Sequence, residues 1–105
     1  MKVFFDKEYL CQLYENGCSK DKKYRYQPQI VKKYIKVVDL MISSPNVLSL
    51  MKYNSLCYEK LSGDKIGLSS VRVNDKYRIE FEERTETEEN IATICNITEL
   101  SNHYQ

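Results

Sequence analysis

Residues 61–81 read LSGDKIGLSSVRVNDKYRIEF, and their pattern decides the fold class. Apolar Val71 and Val73 alternate with Ser70 and Arg72, and Tyr77, Ile79 and Phe81 alternate with Arg78 and Glu80, which is the period of a half-buried strand. Asn74-Asp75 between the two runs is a tight hairpin signal, so LSSVRV (68–73) and KYRIEFEE (76–83) are predicted to be antiparallel strands. The same alternation puts Arg72 and Arg78 on faces opposite the apolar side chains. Upstream, SGDKIG (62–67) is a glycine-bearing turn after a predicted strand LCYEKL (56–61). Downstream, RTETEEN (84–90) is an acidic loop before a last predicted strand, IATICNIT (91–98), and a polar tail, ELSNHYQ.

Nearer the start, KVFF is apolar and aromatic over Val3 to Phe5 and suits a short buried strand. Asp6 is the predicted N-cap of a helix carrying Tyr9, Leu10, Leu13 and Tyr14 at spacings of three and four, with Gly17 as its left-handed C-cap residue. CSKDKKYRY is polar, basic and without a period, hence a loop. Pro28 opens a second helix whose stripe is Ile30, Val31, Tyr34, Val37, Val38, Met41 and Ile42, ending at Ser43-Ser44-Pro45, and 46–55 reads as a short helical turn and loop. Strand, two helices, then a run of strands predicts an α+β fold with two N-terminal helices packed on a small, mainly antiparallel sheet. With 105 residues and 42% hydrophobic types, the chain closes one modest core, so 1–105 is expected to be a single domain.

The net charge of +1 hides an asymmetry. Residues 1–79 carry 15 Lys/Arg against 8 acids, whereas residues 80–105 carry one Arg against 7 acids. Lys32, Lys33 and Lys36 on the second helix, with Lys20, Lys22, Lys23 and Arg25 just before it, concentrate the positive charge and suggest a surface that faces a polyanion. The bland alternative is a solvated helix face. Tyr24 and Tyr26 flank Arg25, an interleaving that suits base stacking beside phosphate contacts, although tyrosines also fill small cores. Cys11, Cys18, Cys57 and Cys95 form no CxxC and stand beside a single His, so they are expected to be ordinary, mostly buried, reduced thiols without a metal. No apolar run is long enough for a membrane span or a signal peptide, and the expected location is cytoplasmic.

Leu61, Gly63, Asp64, Gly67, Ser70, Val71, Arg72, Val73, Asn74, Tyr77, Arg78, Ile79 and Phe81 resemble, without a gap, the central signature L-x-G-D-R-x-G-x-x-S-[IV]-R-[IV]-N-x-x-[YW]-R-I-x-F of HigB-type toxins in the RelE/ParE toxin-antitoxin superfamily. The resemblance implies a RelE-like fold, a cognate HigA-like helix-turn-helix antitoxin as partner, and cleavage of messenger RNA on the ribosome with no cofactor. ParE-like members instead inhibit DNA gyrase by binding. A catalytically degenerate module acting through an antitoxin complex is the third reading.

The chemistry can be judged beside the resemblance. RNA cleavage by its own 2′-OH needs that proton removed, charge on the phosphate oxygens stabilised and the leaving 5′ oxygen protonated. A planar guanidinium binds phosphate through two parallel hydrogen bonds, which makes Arg72 and Arg78 the candidates for charge stabilisation. Salt bridges to Glu80, Glu82 and Glu83 are the alternative for both. Lys65 stands where the family often has Arg, as an RNA contact or a solvated turn lysine. Many HigB proteins end their last strand in Asp-Tyr-His, and the counterpart here is Glu99-Leu100-Ser101-Asn102-His103-Tyr104. His103 is the candidate for proton transfer, with Tyr104 as stacking or acid partner and Glu99 as orienter or base. Glu59, two before Leu61, takes a position that is His in some relatives.

Overall fold

The computed structural model describes residues 1–86 and 91–102. The elements, in chain order, are β1 (Lys2–Phe5), α1 (Glu8–Asn16), α2 (Pro28–Ser43), β2 (Glu59–Lys60), β3 (Leu68–Arg72), β4 (Arg78–Arg84) and β5 (Ile94–Ser101). Short 3₁₀ turns fill Lys22–Tyr24, Val47–Lys52, Asn54–Leu56 and Gly63–Lys65. The strands form one sheet in the order β1-β5-β4-β3-β2, antiparallel throughout except for the parallel pair β1–β5. That is the predicted α+β arrangement.

Helix α1 starts one residue later than the sequence suggests. Lys7, in extended conformation and without a side-chain cap, occupies the N-cap position, so Asp6 does not cap the helix. Its end follows expectation: Gly17 sits at φ 76° and its N–H donates to the Leu13 carbonyl, a left-handed closure that a side chain would strain. Pro28 opens α2, where its missing N–H costs nothing. The stripe Ile30, Val31, Tyr34, Val37, Val38 and Met41 is buried, but Ile42 at the last turn is 42% exposed and belongs to the surface. The Tyr34 hydroxyl donates to the Leu10 carbonyl at 2.8 Å and ties the two helices together.

The helices cover one face of the sheet. Val71, Ile79, Phe81, Cys95, Ile97 and Leu100 point into the same core as Leu10, Leu13 and Met41, each large side chain contributing about 1.5–3 kcal/mol by burial. The segment 56–61 pairs as a strand only at Glu59–Lys60, because Leu56 closes a 3₁₀ turn and drops into the core. β5 is shifted toward the C-terminus relative to the predicted 91–98. Its register slips between Glu80 and Phe81, leaving Thr98 unpaired as a bulge whose hydroxyl donates to the Glu80 carbonyl at 3.2 Å. Arg84 ends β4, and residues 87–90 of the expected acidic loop lie outside the described residues. Among the described residues, no helix is long and apolar enough to cross a membrane.

The four cysteines are not mostly buried as expected: Cys95 is, but Cys11 is half-buried, and Cys18 and Cys57 are exposed because they lie in the loop after α1 and at the end of a 3₁₀ turn. Burial leaves a mark on pH dependence. Desolvation pushes the Cys95 thiol from its ordinary value near 9 up to about 12, and, joined by the Glu83 contact, pushes the Tyr58 phenol up to about 12. Tyr34 and Tyr26 also move up for the same reason. Above pH 9 the unfolded chain therefore releases protons that the folded chain retains, so stability is complete below pH 9 and falls between 9 and 12. Each group caught in that window costs about 1.4 kcal/mol per pH unit. Urea unfolding midpoints followed from pH 7 to 11 should decline steeply only past 9, and a flat profile would contradict this account.

Candidate active site

The period-two alternation that buries Val71, Ile79 and Phe81 turns Ser70, Arg72, Arg78 and Glu80 to the opposite face of the sheet. The register then does what alternation alone cannot. Arg72 stands directly across from Arg78, and Arg78 directly across from Ser101 on β5, so a row with two guanidinium groups crosses three strands. The next row on this face is Glu59, Ser70, Glu80 and Glu99, crossing β2, β3, β4 and β5. The loop between β3 and β4 sets this register: the Asn74 carboxamide oxygen accepts from the N–H groups of Lys76 at 2.9 Å and Tyr77 at 2.8 Å.

Arg78 is held in place. Its Nε donates to the Ser70 hydroxyl at 2.9 Å, and one terminal nitrogen donates to the carbonyls of Cys57 and Ser70. The same nitrogen lies 3.7 Å from the Glu59 carboxylate, and the Arg78 side chain is only 12% exposed while Glu59 is 53% exposed. Among the described residues, Cys57 is the one non-glycine residue with a positive φ, at 45°, and that strained conformation aims its carbonyl at Arg78. Arg72 is freer, paired with Asp75 of the hairpin loop.

The acids of β4 take other partners than the sequence suggested for these arginines. Glu82 pairs with Arg84 at 3.4 Å, and Glu83 accepts from the hydroxyls of Tyr58 and Ser69. Glu80, 2% exposed, receives Lys65 Nζ at 2.6 Å, and the same ammonium is 3.9 Å from Glu99. Lys65 is therefore not a solvated turn lysine: it fastens the turn 62–67 to the sheet and neutralises a buried carboxylate. The sequence offers Ser70 only as part of the family signature and Glu80 only as an ion-pair partner for the arginines, although polar residues sharing the parity of Arg78 were the signal available for placing both on this face.

Lys32, Lys33 and Lys36 are exposed on α2, on the outer surface of the helix layer and away from the arginine face, so the two sets of cations are not brought together. Arg25 is exposed beside the tyrosines at the end of β5. Glu99 lies within β5 rather than in a tail. His103 and Tyr104 lie outside the described residues. Among the described residues, no group of three or more His, Cys, Asp or Glu side chains is placed to hold a metal ion.

No protein-family model and no curated protein matches the chain. Solved structures do. A YoeB/ParE toxin from Agrobacterium tumefaciens aligns over 99% of this chain and 100% of its own, with a TM-score of 0.55 at 15% identity. A YoeB-YefM complex from Staphylococcus aureus aligns over 99% of this chain and 98% of that one, with a TM-score of 0.58 at 15% identity. The chain has the fold of YoeB/ParE-type toxins. In this chain the two-arginine face is the side of the sheet away from the helix layer, and the segment 57–65 lies against it through Glu59 and Lys65, so that Ser70 and Glu80 are buried there.

Proposed function

We propose that the protein is the toxin of a type II toxin-antitoxin system, an endoribonuclease that cuts messenger RNA on the ribosome through the substrate's own 2′-OH. The observation that carries the reading is the pairing of Arg72 with Arg78 across β3 and β4, with the exposed Glu59 carboxylate 3.7 Å from the Arg78 guanidinium. A phosphate bound by these arginines would have a carboxylate beside it to take the 2′-OH proton. His103 then protonates the leaving 5′ oxygen, with Tyr104 stacking on a neighbouring base and Glu99 as the second candidate for the base. Arg25, Lys32, Lys33 and Lys36 serve as contacts to ribosomal or messenger phosphate, and Lys65 holds the Glu59-bearing segment in place.

An antitoxin supplies the restraint such an enzyme needs, and one of the similar structures is named as a YoeB-YefM complex. A HigA-like helix-turn-helix protein is the partner proposed here. The test is incubation of the purified protein with programmed ribosomes and end-labelled mRNA. Fragments ending in a 2′,3′-cyclic phosphate and a 5′-OH are expected, together with growth arrest on expression without the partner. Intact mRNA with inhibited DNA supercoiling would instead establish the ParE-like reading. Intact mRNA and normal growth would leave the regulatory module.

A further inference from the structure

We propose that a tyrosine-lined cleft at the end of β5 binds one unpaired nucleobase of the RNA strand whose phosphate sits on the arginine face. This inference rests on the endonuclease reading and adds a substrate-recognition site to it.

The cleft is about 250 Å³ and is lined by Tyr9, Lys23, Tyr24, Arg25, Tyr26 and Tyr77, which come from α1, the segment before α2 and the end of the β3–β4 loop. Tyr24 lies flat on Tyr9, with ring centroids 3.6 Å apart and planes 4° from parallel, while Tyr26 meets Tyr77 edge-on at 5.5 Å. The hydroxyls divide the work. Those of Tyr9 and Tyr26 are engaged by the backbone of Leu100: Tyr9 accepts from its N–H at 3.4 Å and Tyr26 donates to its carbonyl at 3.3 Å. These two rings therefore clamp β5, and Tyr9 is 6% exposed. Among the described residues the Tyr24 hydroxyl has no such task; its ring is half-buried at the cleft, stacked on Tyr9 on one side, with the exposed cation Lys23 over the ring and Arg25 beside it. The Lys23 ammonium lies 5.7 Å from the Tyr24 ring centre. Aromatic rings supported from below and rimmed by Lys and Arg suit a base together with its flanking phosphate.

Continuity with the arginine face identifies the occupant. Glu99 and Ser101 line the cleft, and the same residues stand opposite Glu80 and Arg78 in the sheet register. A strand held at Arg78 would therefore have the cleft as the adjoining surface for its next nucleotide. The volume suits one base rather than a folded helix.

The test combines a direct probe with a kinetic one. The chain holds no tryptophan, so Tyr24→Trp introduces a single reporter. Its emission should be quenched on titration with an uncleavable 2′-O-methyl RNA nonamer, and an abasic nucleotide at one position of that oligomer should weaken binding about tenfold, or about 1.4 kcal/mol. In ribosomal cleavage, the same abasic change should slow the wild type about tenfold. Tyr24→Leu should be about tenfold slower on intact mRNA yet indifferent to the abasic site, whereas Tyr24→Phe should behave as wild type. Additive losses from the variant and the abasic site, or equal binding of intact and every abasic oligomer, overturn the inference alone. A wild type that cuts no mRNA overturns the endonuclease reading, and the fluorescence titration then still decides whether the cleft takes a base.

Discussion

Arg78→Ala should lower single-turnover mRNA cleavage on ribosomes by about 10²–10³-fold, since a preorganised cation at the scissile phosphate acts where charge builds up in the transition state. Preorganisation is the specific feature here. The Arg78 side chain is 12% exposed and anchored to the Ser70 hydroxyl and the Cys57 carbonyl, so its guanidinium is oriented before substrate arrives. Arg72, at 36% exposure and paired with an exposed Asp75, lacks that fixing. A smaller loss of about tenfold is expected for Arg72→Ala. The competing account is that Arg78 merely crosslinks β3, β4 and the 57–59 segment. Arg78→Lys separates the two: it keeps the charge but not the two-pronged geometry, so it should fold, bind ribosomes and still cut at least tenfold more slowly. Urea unfolding run beside the kinetics gives the control, and a folded Arg78→Ala variant that cleaves normally would return this arginine to structure.

The pairing of Arg72 with Arg78 shows where the sequence is legible and where it is not. A period of two at Val71, Ile79 and Phe81 is local information, and it sufficed to put both arginines on one kind of face. Whether they stand opposite each other depends on the shape of the intervening loop: Asn74-Asp75 signals a hairpin, but not the register that follows once the Asn74 carboxamide binds the Lys76 and Tyr77 N–H groups. The bulge at Thr98 obscured the last strand for a similar reason. Cys95 and Ile97 alternate inward, but the unpaired Thr98 brings Leu100 rather than Glu99 into the core, so the pattern appeared to stop at residue 98. Lys65 was ambiguous because its partner, Glu80, lies fifteen residues along the chain on another element. The Asp6 cap failed because a capping residue type one position too early is indistinguishable from a true cap until the backbone is seen.

Proton transfer gives the other large effect, and its pH dependence assigns the roles. If Glu59 takes the 2′-OH proton, it must be ionised, so the rate rises with pH along the acidic limb. If His103 donates to the leaving oxygen, it must be protonated, so the rate falls with pH along the alkaline limb. The wild type should therefore show a bell-shaped profile of single-turnover rate. Glu59→Gln should lose about 10²–10⁴-fold and flatten the acidic limb, whereas His103→Gln should lose a similar factor and flatten the alkaline one. Glu59 is the stronger candidate for the base than Glu99 on geometry: it is 53% exposed and 3.7 Å from the Arg78 guanidinium, while Glu99 stands 3.9 Å from the ammonium of Lys65. Retention of the acidic limb in Glu59→Gln would move the role to Glu99, and Glu99→Gln would then have to remove it. Retention of the alkaline limb in His103→Gln, or full activity after truncation behind Asn102, would rule the histidine out and leave Tyr104 only if the truncated chain is inactive.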